Sequence, residues 1–214
     1  MQIKLNSFIL PKNVIERMKI ELERTNKTGI EYGFSLCMKP ETNIIIDKER
    51  CVGDQCKIKV ERKCDEGEKH IGSYHTHPDG YARMSGADMV NACLEDVDCV
   101  GGEVNKIKCF VKRRTQPEWK HAAKSLACHY ASKEFYEKIE TPMNKKFYDI
   151  KTESAKLKEL VNRYMKGEPI NKEELNARIR THNNSIKQFA KDTQKYEQRI
   201  GTLINEFFNV IDIK

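Results

Sequence analysis

Residues 69–88 read Lys69-His-Ile-Gly-Ser-Tyr-His75-Thr-His77-Pro-Asp-Gly-Tyr-Ala-Arg-Met-Ser85-Gly-Ala-Asp88. Residues 69–76 predict a short strand that runs directly into a His-x-His pair. Side chains two apart at a strand end project to the same side, so both imidazoles reach one metal ion. Pro78-Asp79-Gly80 is a turn. Ser85 is a residue type that caps a helix N-terminus, and Ala87 to Leu94 forms the helix behind it, with Asp88 in the first turn. Two imidazoles and a carboxylate leave the fourth tetrahedral position of a zinc ion open, which marks a catalytic rather than a structural site. Zinc lowers the pKa of water held in such a position toward neutrality.

Glu31 completes the set. It stands in an otherwise apolar run, Gly29-Ile-Glu31-Tyr-Gly-Phe-Ser-Leu. A carboxylate there is costly to bury without a partner or a purpose. Beside an activated water it has both, taking a proton as general base and returning it to a leaving amine. Ser85 is placed to hydrogen-bond the oxyanion of a tetrahedral intermediate. Singly, each residue has an ordinary explanation. The histidines can be surface imidazoles, Glu31 can face solvent, Ser85 can be only a cap, and Asp88 only a favourable charge at a helix N-terminus. The residue types occur together, in order, in the strand and helix contexts that the chemistry needs, and this favours the joint reading.

The motif resembles that of the JAMM (MPN+, JAB) metallopeptidases: a Glu, then H-[S/T]-H-P, a short gap, then S-x-x-D. Here these are Glu31, His75-Thr76-His77-Pro78, and Ser85-Gly86-Ala87-Asp88. The gap and the Ser-Gly-x-Asp form are similar to those of deubiquitinating members. The resemblance covers about residues 2–112. It implies that His75, His77 and Asp88 bind one zinc per chain, that Glu31 activates water, and that Ser85 stabilises the intermediate. It also implies a substrate that is a ubiquitin-like protein or its conjugate, cleaved at an isopeptide or peptide bond after a Gly-Gly end. Two other readings stand beside it: an enzyme of the same type acting on sulfur-carrier adducts, and a latent or non-enzymatic assembly subunit working through its C-terminal helices.

Outward from the motif, a strand over 2–9 precedes a helix opened by Pro11 and closed by Asn26-Lys-Thr-Gly29. Strands are expected over 30–38, 42–47, 98–102 and 106–111, with a polar loop or ragged hairpin over 48–66 and a turn at Glu103-Val-Asn105. The order predicts an α+β sheet domain of the MPN/JAB type flanked by helices, residues 1–114. Residues 115–214 predict a helical extension, with helices at about 118–140, 150–166 and 171–211. In the last, Asn171 caps and Glu174 completes a capping-box-like pair. Leu175, Ile179, His182, Ile186, Phe189, Thr193, Tyr196, Ile200, Leu203, Phe207 and Val210 follow at heptad spacing, a coiled-coil pattern. The stripe packs within the chain, or makes a homodimer or partner contact through helix 171–211.

Of 214 residues, 38% are hydrophobic and 33% charged. No run approaches the roughly 20 apolar residues that span a bilayer, and Met1-Gln2-Ile3-Lys4-Leu5 lacks a signal-peptide core. A cytoplasmic location without membrane contact is expected. The net charge of +7 is diffuse, with no basic block interleaved with aromatics, so nucleic acid is not an expected partner. Eight cysteines are present, and in a cytosolic chain most are expected reduced. Cys37, Cys93, Cys99, Cys109 and Cys128 lie in apolar runs and read as small buried hydrophobes. Cys51, Cys56 and Cys64 lie in a polar stretch, and their spacing argues only weakly for a structural zinc.

Overall fold

A computed structural model describes residues 2–55, 57–102, 106–114 and 116–213. Cys56 and the expected turn at 103–105 lie outside the described residues. The chain divides into two compact units, Met1–Ser132 with Leu203–Lys214, and Lys133–Thr202.

The first unit is built on a mixed six-stranded sheet. Its strands are β3 (Tyr32–Met38), β4 (Ile45–Val52), β5 (Lys69–Thr76), β6 (Val97–Gly102), β7 (Lys106–Lys112) and β8 (Phe208–Ile213), in the spatial order β4-β3-β5-β6-β7-β8. Among the described strands of this sheet, β5 and β6 are the pair that runs parallel. That pair needs a crossover, and residues 77–96, carrying the short helix α2 (Gly86–Ala92), supply it. His77, Ser85 and Asp88 therefore lie on the connection between the two parallel strands, and His75 near the end of the first. The protein is thus an α+β chain with a long C-terminal helix, as the pattern of elements predicts.

Helix α1 (Lys12–Thr28) covers the sheet. Val14, Ile15, Met18 and Leu22 fall on one stripe and are buried. Burying each of Met18 and Leu22 stabilises the fold by roughly 1.5–3 kcal/mol. The buried Tyr74 hydroxyl donates to the Met18 carbonyl at 2.7 Å and ties β5 to this helix. Gly29, at φ 70°, ends α1 in the left-handed conformation, its N–H reaching the Thr25 carbonyl.

Several expectations are corrected. Residues 2–9 are not one strand: β1 (Ile3–Leu5) and β2 (Phe8–Leu10) form a separate hairpin, turned at Asn6 with φ 54°. The strand expected to end at 47 continues to Val52, because the β3 edge offers partners along its whole length. The helices expected at 118–140 and 150–166 are one continuous helical path. In it α3 (Glu118–Phe135) passes through a π-helical turn, Tyr136–Glu140, into α4 (Thr141–Met165). The helix expected over 171–211 is α5 (Lys172–Phe207), and Phe208–Ile213 is instead an edge strand paired antiparallel with β7. Phe207 and Val210 continue the heptad phase, but residues 208–213 also alternate, and the open hydrogen bonds of β7 decide for strand.

In the second unit α4 and α5 run antiparallel. Phe147 stacks near Phe189 at 6.0 Å between ring centroids, and Lys146–Asp192 and Arg178–Glu153 pair at 2.6 Å. The stripe on α5 is thus covered in part within the chain, with Tyr196 against Phe135 at 5.1 Å. Asn171 Oδ1 accepts the N–H groups of Glu173 and Glu174, the cap expected of it. No helix among the described residues is long and apolar enough to cross a membrane.

The cysteines depart most from expectation. Cys37–Cys64, Cys93–Cys128 and Cys99–Cys109 are disulfides, and Cys51 is free. Five of these were expected as reduced hydrophobes. Cys99 and Cys109 stand directly opposite on β6 and β7, and the other two pairs join segments 27 and 35 residues apart, which spacing alone does not assign.

Candidate metal centre

His75 is on the last turn of the β5 pleat, and His77 follows the strand, held there because its N–H donates to the Gly101 carbonyl at 2.7 Å. Both imidazoles lie on one side, with their Nε2 atoms 3.0 Å apart. Asp88 enters from α2, its Oδ1 3.3 Å from His75 Nε2 and its Oδ2 3.3 Å from His77 Nε2. Zinc bonds of about 2.0–2.1 Å in a tetrahedron set neighbouring ligand atoms about 3.3–3.4 Å apart. The three side chains already stand at nearly that spacing, and their chemistry is the zinc donor set. They fit the ion.

The second layer holds this arrangement. His77 Nδ1 lies 3.2 Å from the Tyr81 carbonyl, to which it donates, and this leaves Nε2 as the free lone pair. His75 Nδ1 faces Asp98 Oδ1 at 3.9 Å, and Ser73 Oγ donates to that same oxygen at 2.9 Å. Asp98 is buried on β6, opposite Ser73 in the parallel register. Thr76, between the two histidines, is buried and clamps the neighbouring elements. Its hydroxyl donates to the Tyr32 carbonyl at 3.1 Å, accepts from the Tyr32 N–H at 2.9 Å, and bonds the Thr25 hydroxyl of α1.

Ser85 is the N-cap of α2. Its Oγ accepts the Asp88 N–H at 3.1 Å and donates to Asp88 Oδ2 at 2.7 Å, while its own N–H donates to Oδ2 at 2.8 Å. Capping and ligand orientation are one network here. The hydroxyl proton points at Asp88, so donation to an oxyanion requires it to turn away.

Glu31 lies just before β3 rather than within it, and it is 7% exposed. Its N–H donates to the Asp54 carbonyl at 2.8 Å, and its carbonyl accepts the Gly53 N–H at 2.9 Å. The β3–β5 register pairs Gly33 with His75, and continuing it outward sets Glu31 level with His77. Burial pushes the Glu31 carboxyl above its ordinary pKa, and His77 and His75 pull it partly back. Burial also pushes His75 down, but Asp88, with Asp98 and Glu31, outweighs this and raises it to about 10. For Asp88, burial raises the pKa and the two histidines reverse it, holding the carboxylate well below its ordinary range. This cross-attraction holds the two histidines and Asp88 together.

All five residues picked from the sequence thus fall in one neighbourhood. Asp98 was missed. Its signal was available, since it is a carboxylate within the apolar run Val97-Asp-Cys-Val.

No family model matches the sequence, and no curated protein matches it.

Proposed function

We propose that this chain is a zinc-dependent metallopeptidase of the JAMM type, which hydrolyses the isopeptide or peptide bond after the Gly-Gly end of a ubiquitin-like protein. The observation that carries the reading is the near-tetrahedral spacing of His75 Nε2, His77 Nε2 and the Asp88 carboxylate, 3.0–3.3 Å apart, with a buried Glu31 within their electrostatic reach. His75, His77 and Asp88 would hold the ion. Bound zinc supplies Lewis acidity, which polarises a carbonyl and acidifies water.

Glu31 carries the proton. Its raised pKa brings it closer to the working pH, which suits a group that must accept a proton and then release it to a leaving amine. Ser85 keeps Asp88 oriented and, by rotating its hydroxyl, donates to the developing oxyanion. The Tyr81 carbonyl holds the His77 ring with Nε2 forward, and the Asp98 carboxylate faces the Nδ1 edge of His75.

The test is cleavage by the zinc-loaded full chain of a ubiquitin-like protein joined through Gly-Gly to a lysine ε-amine, compared with a Gly-Gly-Cys adduct. Glu31→Gln is expected to keep its zinc and lose about a hundredfold or more in rate. Cleavage by Glu31→Gln at the wild-type rate overturns the proposal. Cleavage of the cysteine adduct alone moves the substrate to the sulfur carriers.

A further inference from the structure

A second cluster of metal-ligating side chains lies on the same sheet. Cys37 of β3 and Cys64 of the segment crossing over it are joined as a disulfide, with their Cα atoms 5.9 Å apart. Glu68 approaches them, and one ligand atom from each of the three side chains lies within 4.8 Å of the others. Cys37 stands four residues along β3 from Gly33, the partner of His75. That sets the two clusters about 13 Å apart along the strand, so no residue is shared.

We propose that Cys37, Cys64 and Glu68 form a redox-gated site for zinc, closed as a disulfide in the oxidised chain and a metal–dithiolate centre in the reduced one. Thiolate and carboxylate are both zinc donors. Glu68 is nearly buried and ion-paired with Lys48, but Lys48 also holds Asp65 at 2.6 Å, so the ammonium keeps a partner when the carboxylate turns to a metal. A fourth donor stands ready. His70 is directly across the β3–β5 ladder from Cys37, on the same face of the sheet, and its Nε2 is buried without a hydrogen-bond partner. Directly opposed residues of an antiparallel pair have Cβ atoms about 4.5–5.5 Å apart, so a rotation of the ring brings it to the sulfur.

The chemistry balances with a phosphine or a dithiol as reductant. The S–S bond takes two electrons and two protons to give two thiols. A phosphine becomes its oxide with oxygen from water, or a dithiol becomes a disulfide. Zinc then displaces both thiol protons to solvent as the two metal–sulfur bonds form.

Both closed states fasten the same segment. Ser35 Oγ donates to the Glu61 carbonyl, Arg62 pairs with Glu95 at 3.2 Å, and Val60 packs over Gly33 beside His75. Only the reduced, metal-free chain leaves Cys64 untied.

The test is a cobalt(II) titration of the full chain, cobalt serving as the spectroscopic stand-in for zinc, before and after reduction with a phosphine. The reduced chain is expected to show near-ultraviolet thiolate-to-cobalt absorption that the oxidised chain lacks. The band should survive in His77→Ala and vanish in Cys64→Ser. Glu68→Gln, which keeps both cysteines, should bind cobalt about tenfold more weakly at the band-forming site. No band in the reduced wild type overturns the proposal, and so does a band that survives Cys64→Ser. If Cys64→Ser does not fold, Glu68→Gln decides, and an unchanged affinity there overturns it.

Discussion

The Ser85 hydroxyl and the Asp88 carboxylate grip one another reciprocally, Oγ to Oδ2 at 2.7 Å and the Asp88 N–H back to Oγ at 3.1 Å. The bond that starts α2 is therefore also the bond that orients the Asp88 carboxylate toward His75 and His77. Ser85→Ala is expected to cost about 1 kcal/mol of stability as a lost cap. It should also weaken zinc binding about tenfold as a lost orienting partner, and Ser85→Thr should restore both. Chelator competition and thermal melts check this. A Ser85→Ala chain that binds zinc as tightly as the wild type would show that α2 aims Asp88 unaided.

Gly72 sets how closely β5 and β6 approach. It sits at φ 158° opposite Val97, and an added Cβ would overlap the Val97 carbonyl. The parallel pair cannot close around a larger residue, and this pair bounds the crossover that carries His77, Ser85 and Asp88. Gly72→Ala is expected to destabilise by about 3 kcal/mol or to prevent folding. An unchanged urea midpoint would contradict the strand packing described above.

Glu95, itself no candidate ligand, supplies a second pH dependence. It is 8% exposed, and one carboxylate oxygen has no hydrogen-bond partner. Burial, then the nearby Asp98, raise its pKa from 4.5 to about 7, with Arg62 pulling the other way. A raised folded-state pKa means the folded chain holds the proton longer than the unfolded one. Stability from this group is therefore intact below about 4.5 and is lost as pH rises through about 7. Glu95→Gln removes the penalty. It should be more stable than the wild type by about 2 kcal/mol at alkaline pH, less than the full shift because the Arg62 pair goes too, and should match it at acid pH. A gain of the same size at both pH values would point to packing rather than charge.

Much of the site could be read from the chain because it is local. His75, His77, Ser85 and Asp88 span one strand end, one turn and one helix start, and their spacing alone determines which sides face inward. Glu31 could be read by the cost of a carboxylate in an apolar run. Asp98 carries the same mark, but its meaning depends on β6 lying parallel to β5 with Ser73 opposite, and no local pattern encodes that register. The strand over 208–213 was hidden for a related reason. Its alternation is overlaid by the heptad phase of α5, and the deciding term is the unpaired edge of β7, far away in sequence. The first turns of α4, from Thr141, fill the gap that composition leaves between two helices, and the π-turn at Tyr136–Glu140 joins them to α3. The disulfides were hidden twice over: Cys37 and Cys93 look like core residues, and their partners are set by the fold.

The most direct test of the central claim is zinc content by elemental analysis of the full chain, purified without reductant or added metal, for wild type and His77→Ala. The geometry predicts about one zinc per chain in the wild type, lost in the variant while its melting profile stays cooperative. No zinc in the wild type even after incubation with the ion, or an equal content in His77→Ala, would contradict a metal centre at His75, His77 and Asp88.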